Sequence, residues 1–170
     1  MQFSIDRPAE FEAVASEAKT ILYSQPDLPK PVVLNGHAMG LCATLAVCCD
    51  IVVAHTGVRI ADPHVNVWPV AGDGALLWPQ LIGYAKAKRY LLKGDLLKAT
   101  DAERLGLPSE VGEPEQLDGA SLAERLARGA TKAIRWTKIT ANLPLRQLMH
   151  RQFYAGVAYE IVSNISADHA

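Results

Sequence analysis

No stretch of this sequence is long and apolar enough to cross a bilayer. The longest strongly apolar run, Leu41 to Ala54, is interrupted by Asp50 and falls short of the roughly 20 residues that a spanning helix needs. Charge of one sign is lacking too. Seventeen Lys and Arg face eighteen Asp and Glu, so no field is available to hold nucleic acid or an anionic membrane. Cysteines number only three, Cys42, Cys48 and Cys49, all within that one apolar segment. Without a CxxC pair or a histidine at ligand spacing, they argue against a disulfide framework and against a thiolate metal site. Free thiols fit a reducing compartment, and Met1 is not followed by the basic and apolar segments of a secretory signal, so a cytoplasmic protein is expected. Repeats and low-complexity tracts are missing as well. What remains is 170 residues, 49% apolar and 21% charged, the composition and length of a folded domain.

Phe11, Val14, Ala18 and Leu22 recur at helical spacing, with Glu10, Glu12, Glu17 and Lys19 on the other face. This predicts an amphipathic helix from Phe11 to Tyr23, stopped by Pro26, Pro29 and Pro31. The run Pro31 to Leu34 predicts a strand ended by the turn pair Asn35-Gly36. A buried helix is expected over Gly40 to Cys49, then buried strands over Asp50 to Ala54 and Val58 to Ala61. Helices follow from Gly74 to Ile82 and from Ala85 to Lys93. Another follows the capping-box pattern Thr100-Asp101-Ala102-Glu103. The last three are expected over Leu117 to Arg128, Thr131 to Ala141 and Leu145 to Asn164. In the final helix Leu145, Met149, Phe153 and Val157 form one apolar stripe, by default a core face within the chain. Beyond its first third the chain reads as nearly all α. Trp68, Trp78 and Trp136 are expected to pack inside. Lys86, Lys88, Arg89 and Lys93 read as a solvated basic face, or else as contacts for phosphate.

One segment is more specific. Lys30-Pro31 opens it. Asn35-Gly36-His37-Ala38-Met39-Gly40 follows, then the Ala-rich Leu41 to Ala46, and Cys49-Asp50-Ile51-Val52-Val53-Ala54 closes it. It resembles the signature of the crotonase superfamily, the enoyl-CoA hydratase/isomerase family. Four further matches stand in order: Ala61-Asp62-Pro63-His64-Val65, Val70-Ala71-Gly72-Asp73-Gly74, Leu91-Leu92-Lys93-Gly94-Asp95 and Ala102 to Leu107. The resemblance implies an α/β fold, a spiral of ββα turns followed by a C-terminal helical trimerisation region. On that reading 1–112 is a partial spiral core and 113–170 the helical region. Relatives carry further ββα turns upstream, with one oxyanion donor and much of the CoA-binding surface. This sequence is expected to begin after them and to be a copy truncated at both ends.

The resemblance also implies the chemistry. An acyl-CoA thioester passes through an enolate, and peptide N–H groups must face the oxygen where charge develops. Gly40 allows close approach of backbone to ligand, and the Leu41 N–H is the implied donor. Ala38, Gly40, Leu41, Thr44, Ala61, His64, Val65, Gly72 and Asp73 are the implied substrate-binding residues. Thr44 and His64 stand where hydratases place two glutamates. A threonine hydroxyl cannot act as a carboxylate does, whereas an imidazole can move a proton near neutral pH. Asp73 reads equally as a base or as a helix N-cap. Asp62 either orients His64 or caps the turn, and His37 is a loop residue. The implied catalytic set is Asp73, His64 and Leu41, with no metal and no cofactor beyond the coenzyme A thioester substrate. A homotrimer or hexamer is implied. Two rival readings stay open: a non-catalytic homologue serving as an oligomer subunit, and a crotonase-fold hydrolase.

Overall fold

The computed structural model describes residues 8–24, 31–67, 69–164 and 166. Pro26, Pro29, Lys30, Trp68, the side chain of Phe11 and the C-terminal 167–170 lie outside the described residues. The chain opens with helix α1 (Pro8–Ser24). Strands β1 (Pro31–Leu34) and β2 (Ala38–Met39) follow, then helix α2 (Leu41–Val47). Next come β3 (Ile51–His55), β4 (Arg59–Ala61) and a 3-10 turn over His64–Asn66. Helices α3 (Gly74–Ile82) and α4 (Tyr84–Lys93) lead to β5 (Leu97–Lys98), α5 (Ala99–Leu105) and β6 (Glu110–Gly112). The C-terminal part is helical: α6 (Gly119–Arg128), α7 (Thr131–Ala141) and α8 (Leu143–Asn164).

The strands divide between two sheets, ordered β1-β3-β6 and β2-β4-β5. From β1 to β4 consecutive strands alternate between them, β5 stays in the second sheet beside β4, and β6 returns to the first. The turn at Asn35-Gly36 carries the chain from β1 in one sheet to β2 in the other, and α2 brings it back to β3. In the first sheet β1 and β3 run parallel, Pro31 opposite Ile51 and Leu34 opposite Ala54. The β-branched run Val32-Val33 meets Val52-Val53 there, side chains suited to a pleated surface. β6 joins the other edge of β3 in parallel, Val53 opposite Glu110. In the second sheet β2 lies parallel to β4, with Ala38 opposite Ile60, and β5 runs antiparallel to β4.

Trp78, Ile60, Val58, Leu91 and Leu97 are buried in the main core, among alanines at 38, 43, 54, 87, 99 and 102 that let helices and sheets approach closely. A second core joins Leu22 of α1, Cys48, Leu77 of α3 and Met149 and Phe153 of α8. The stripe on α8 is therefore used within the chain. Tyr23 meets Phe153 edge-on at 5.6 Å, and its hydroxyl donates to the Met149 carbonyl at 2.9 Å. Burial pushes the Cys48 thiol up to about 12, so it packs as an inert hydrophobe.

Several expectations need correction. Strands continue past the first third, in β5 and β6. Thr100 is not an N-cap: α5 starts at Ala99 with extended Lys98 at its cap, and the Glu103 carboxylate instead accepts from the Val111 N–H at 3.0 Å. Asp118 does cap α6, accepting from the Ser121 N–H at 2.9 Å. Pro144 sits in the first turn of α8 rather than before it. Trp136 is 65% exposed and Val14 51% exposed, so neither packs inside. Cys42 is exposed. Lys86, Lys88, Arg89 and Lys93 all lie on the exposed face of α4. Asp50, which interrupts the apolar run, pairs with Lys138 at 2.7 Å and ties α7 to the start of β3.

Candidate functional site

The parallel pairing of β2 with β4 brings two loops together at the ends of those strands. Gly40 leaves β2 and its N–H donates to the Ala61 carbonyl at the end of β4, at 2.9 Å. Gly40 has φ 53° and ψ −124°, a conformation that L side chains rarely adopt. A Cβ there would lie 3.2 Å from His64 Cε1, so the turn lies against the imidazole. The Leu41 peptide follows at the start of α2. Thr44, one turn further along, is fully buried.

Beyond Ala61 the chain turns through Asp62-Pro63 into the His64 turn. Asp62 is buried, and its Oδ1 pairs with His64 Nδ1 while also accepting from the His64 backbone N–H at 3.4 Å. That pairing turns Nε2 away from Asp62. Asp73 caps α3, its Oδ1 accepting from the Gly74 N–H at 2.8 Å. The remaining carboxylate oxygens, Asp62 Oδ2 and Asp73 Oδ2, are buried without a hydrogen-bond donor. Asp62, His64 and Asp73 offer ligand atoms within 4.8 Å of one another, a spacing that could hold a metal ion.

A fourth member comes from α8. Glu160 Oε1 lies 3.8 Å from His64 Nε2. One imidazole thus stands among three carboxyl groups. Burial works against the imidazolium. The Asp62 hydrogen bond and the charges of Asp62, Glu160 and Asp73 outweigh it and raise His64 from 6.5 to about 9. Burial raises Glu160 to about 7; His64 and the Gly72 amide pull it down, while Asp73 and Asp62 push it further up. Asp73 is also raised, by burial and by Asp62, against the Gly74 amide, the Thr44 hydroxyl and His64. The Thr44 hydroxyl influences Asp73 without closing a hydrogen bond of ordinary geometry.

The structure therefore brings Gly40, Thr44, Asp62, His64, Gly72 and Asp73 into one cluster with Glu160. Ala38 and Ala61 form its strand floor, both buried, Leu41 is half-buried beside it, and Val65 on the following turn is exposed. His37 stands apart, its Nδ1 accepting from the Arg59 N–H at 3.2 Å. Glu160 is the member that motif reading missed. The available signal was Gly156, a glycine inside a helix and one turn before it.

The family model for enoyl-CoA hydratase/isomerase matches residues 6–164. A crotonyl-CoA hydratase of Syntrophomonas wolfei is 33% identical over 120 residues, 68% of this chain and 46% of that protein. A short-chain-enoyl-CoA hydratase of Clostridioides difficile is 36% identical over 113 residues, 65% of this chain and 72% of that protein. The chain spans about half the length of most of the curated relatives it matches. Among solved structures, an enoyl-CoA hydratase/isomerase from Mycobacterium paratuberculosis superposes with TM-score 0.88 at 29% identity, covering 97% of this chain and 68% of that one. A β-diketone hydrolase from the cyanobacterium Anabaena, bound to (S)-3-oxocyclohexyl acetic acid, does so with TM-score 0.84 at 27% identity, covering 95% and 67%. The alternating two-sheet spiral, the Gly40 turn and these matches agree, and the chain belongs to the enoyl-CoA hydratase/isomerase family of the crotonase superfamily.

Proposed function

We propose that the chain binds an acyl-CoA thioester and stabilises its enolate, in hydratase or isomerase chemistry. The observation that carries this reading is the Gly40 turn lying against the imidazole of His64. Negative charge developing on the thioester oxygen would meet the Leu41 N–H from the backbone side. The His64 ring, held cationic at neutral pH, adds a second source of positive potential. Thr44 offers no carboxylate, so its role is to pack. Asp73 both caps α3 and, with Asp62, holds His64 charged. The reading calls on no metal or redox cofactor, only on the coenzyme A thioester as substrate. In this reading the chain is a cytosolic homotrimer or hexamer. Exposed Tyr84, Leu92 and Leu96 on and just after α4 are apolar surface available to other copies, and sedimentation velocity reads the stoichiometry.

The test is crotonyl-CoA hydration together with deuterium exchange at the α-carbon of butyryl-CoA. His64→Gln should lower both by about 10²–10³-fold, the range typical of a lost oxyanion-stabilising group. Thr44→Ala should stay within a few-fold. Full exchange by the His64 variant would refute the assignment. A second reading, hydrolysis of a C–C bond between two carbonyls, is supported by Thr44 and His64 at the two positions where hydratases carry glutamates. It also generates an enolate, from water attack on one carbonyl and departure of the other fragment. Acid release from a cyclic β-diketone, without crotonyl-CoA hydration, would select it.

A further inference from the structure

Glu160 reaches the site because α8 crosses the loop before α3 with no side chain on either partner. A Cβ on Gly156 would lie 2.5 Å from the Gly72 carbonyl oxygen. One on Gly72 would lie 2.7 Å from the Gly156 oxygen and 2.8 Å from Glu160 Oε2. Glu160, one turn beyond Gly156, is thereby set over Gly72 with its carboxyl toward His64. The three carboxyls around the ring are not equivalent. Asp62 is 2% exposed and occupied with Nδ1, and Asp73 is 7% exposed and occupied with the α3 cap. The side chains of His64 and Glu160 remain 16% and 21% exposed, and they meet on the Nε2 side.

We propose that Glu160 is a catalytic residue of this site, the group that moves the proton, while His64 remains an imidazolium that polarises the substrate oxygen. This rests on the enolate reading above. In the hydration direction the Glu160 carboxylate takes a proton from water as the water oxygen bonds to the β-carbon. The C=C electron pair moves toward the thioester oxygen as the enolate forms. The enolate returns that pair to the α-carbon, which takes the proton from the Glu160 carboxylic acid. One water is consumed, no proton is left over and no oxidant is needed. The groups facing Glu160 are His64, Asp62, Asp73 and the Gly72 amide. Together with burial they leave it at about 7, where a carboxyl both accepts and gives protons at neutral pH. His64, at about 9, gives up its proton only in alkali.

The experiment measures kcat/KM for crotonyl-CoA hydration and α-proton exchange from about pH 5 to about pH 10, with the intact chain and its Glu160→Gln and Glu160→Asp variants. His64 is followed by NMR in each. Glu160→Gln should lower kcat/KM by about 10²–10⁴-fold and abolish the rising limb near neutral pH. The His64 midpoint should move down as one neighbouring negative charge is lost. Glu160→Asp should keep a rising limb at reduced rate. A Glu160→Gln protein with wild-type rate and an unchanged limb overturns the inference while leaving the enolate reading intact. If Glu160→Gln does not fold, loss of the limb in folded Glu160→Asp overturns it equally. Absence of both reactions in the wild type overturns the enolate reading, and this role falls with it.

Discussion

Gly156→Ala is a perturbation whose sign separates two accounts of α8. In an exposed helix interior, Gly→Ala stabilises by about 0.5–1 kcal/mol through chain entropy alone. At Gly156 the new Cβ would stand 2.5 Å from the Gly72 carbonyl oxygen, 3.1 Å from its carbon and 3.4 Å from its Cα. All three are backbone atoms of a segment held between the His64 turn and the α3 cap, so no side chain can swing away. The helix must back off by most of an ångström. Overpacking of this kind costs about 1–3 kcal/mol, leaving a net loss of up to about 2.5 kcal/mol once the propensity gain is subtracted. For a chain of this size each kcal/mol moves Tm by roughly 2–4 °C. Ala155→Gly, one position away on the exposed side of α8, is the control and should lose about 1 kcal/mol by propensity. Urea unfolding and thermal melts of both variants give the comparison. The crossing predicts that both substitutions destabilise. A Gly156→Ala protein more stable than wild type would refute the reasoning, because α8 could not then be resting on Gly72.

Stability should fall as pH rises from weakly acid to alkaline. Glu160 binds its proton more tightly in the folded state, so its contribution is complete below about 4.5 and lost as pH climbs through about 7. His64 has the same sign, complete below about 6.5 and lost through about 9. Each span is worth up to about 3 kcal/mol. Urea midpoints should decline steadily from about pH 5 to about pH 9, and His64→Gln should flatten the upper half; a wild-type midpoint constant across that range would contradict the cluster's electrostatics. Asp50→Asn should cost about 1–3 kcal/mol, below the roughly 3–5 of a fully buried pair because Asp50 is 25% exposed. A loss under about 0.3 kcal/mol in denaturant melts would mean that the pair with Lys138 contributes nothing to docking α7.

The elements legible in the sequence are those whose own residues suffice to specify them. The β-branched runs at 31–34 and 51–54 declare β1 and β3, and Gly83 and Gly94 mark the ends of α3 and α4. β2, β5 and β6 are two or three residues long, too short for alternation to register, and exist only because a neighbouring strand offers its edge. The capping pattern at Thr100 misleads for the same reason: Lys98 is committed to β5, so the helix begins directly after it. At the site, Gly40, His64 and Asp73 stand out because each lies in a compact motif. That Asp73 is a cap follows from its place before Gly74. That His64 is drawn toward its protonated form does not follow from sequence, since it depends on three carboxyls converging on the ring. Glu160 lies in no motif, on a helix whose sequence signal is its apolar stripe, and the crossing at Gly72 sets its carboxyl beside His64.

The two-sheet spiral also sets the order in which the chain can close. β1 and β3 meet across a loop of about 20 residues, whereas β3 and β6 meet across about 57, with α3, α4 and α5 between. The longer closure costs about 0.9 kcal/mol more chain entropy. The first pairing is thus the cheaper nucleus, and β6 is a late arrival whose docking waits on three helices finding their places. Until it arrives, one edge of β3 stays open, with Val52 and Val53 on a strand rich in β-branched residues. That interval is when a folding chain of this topology is most exposed to pairing with another copy of itself.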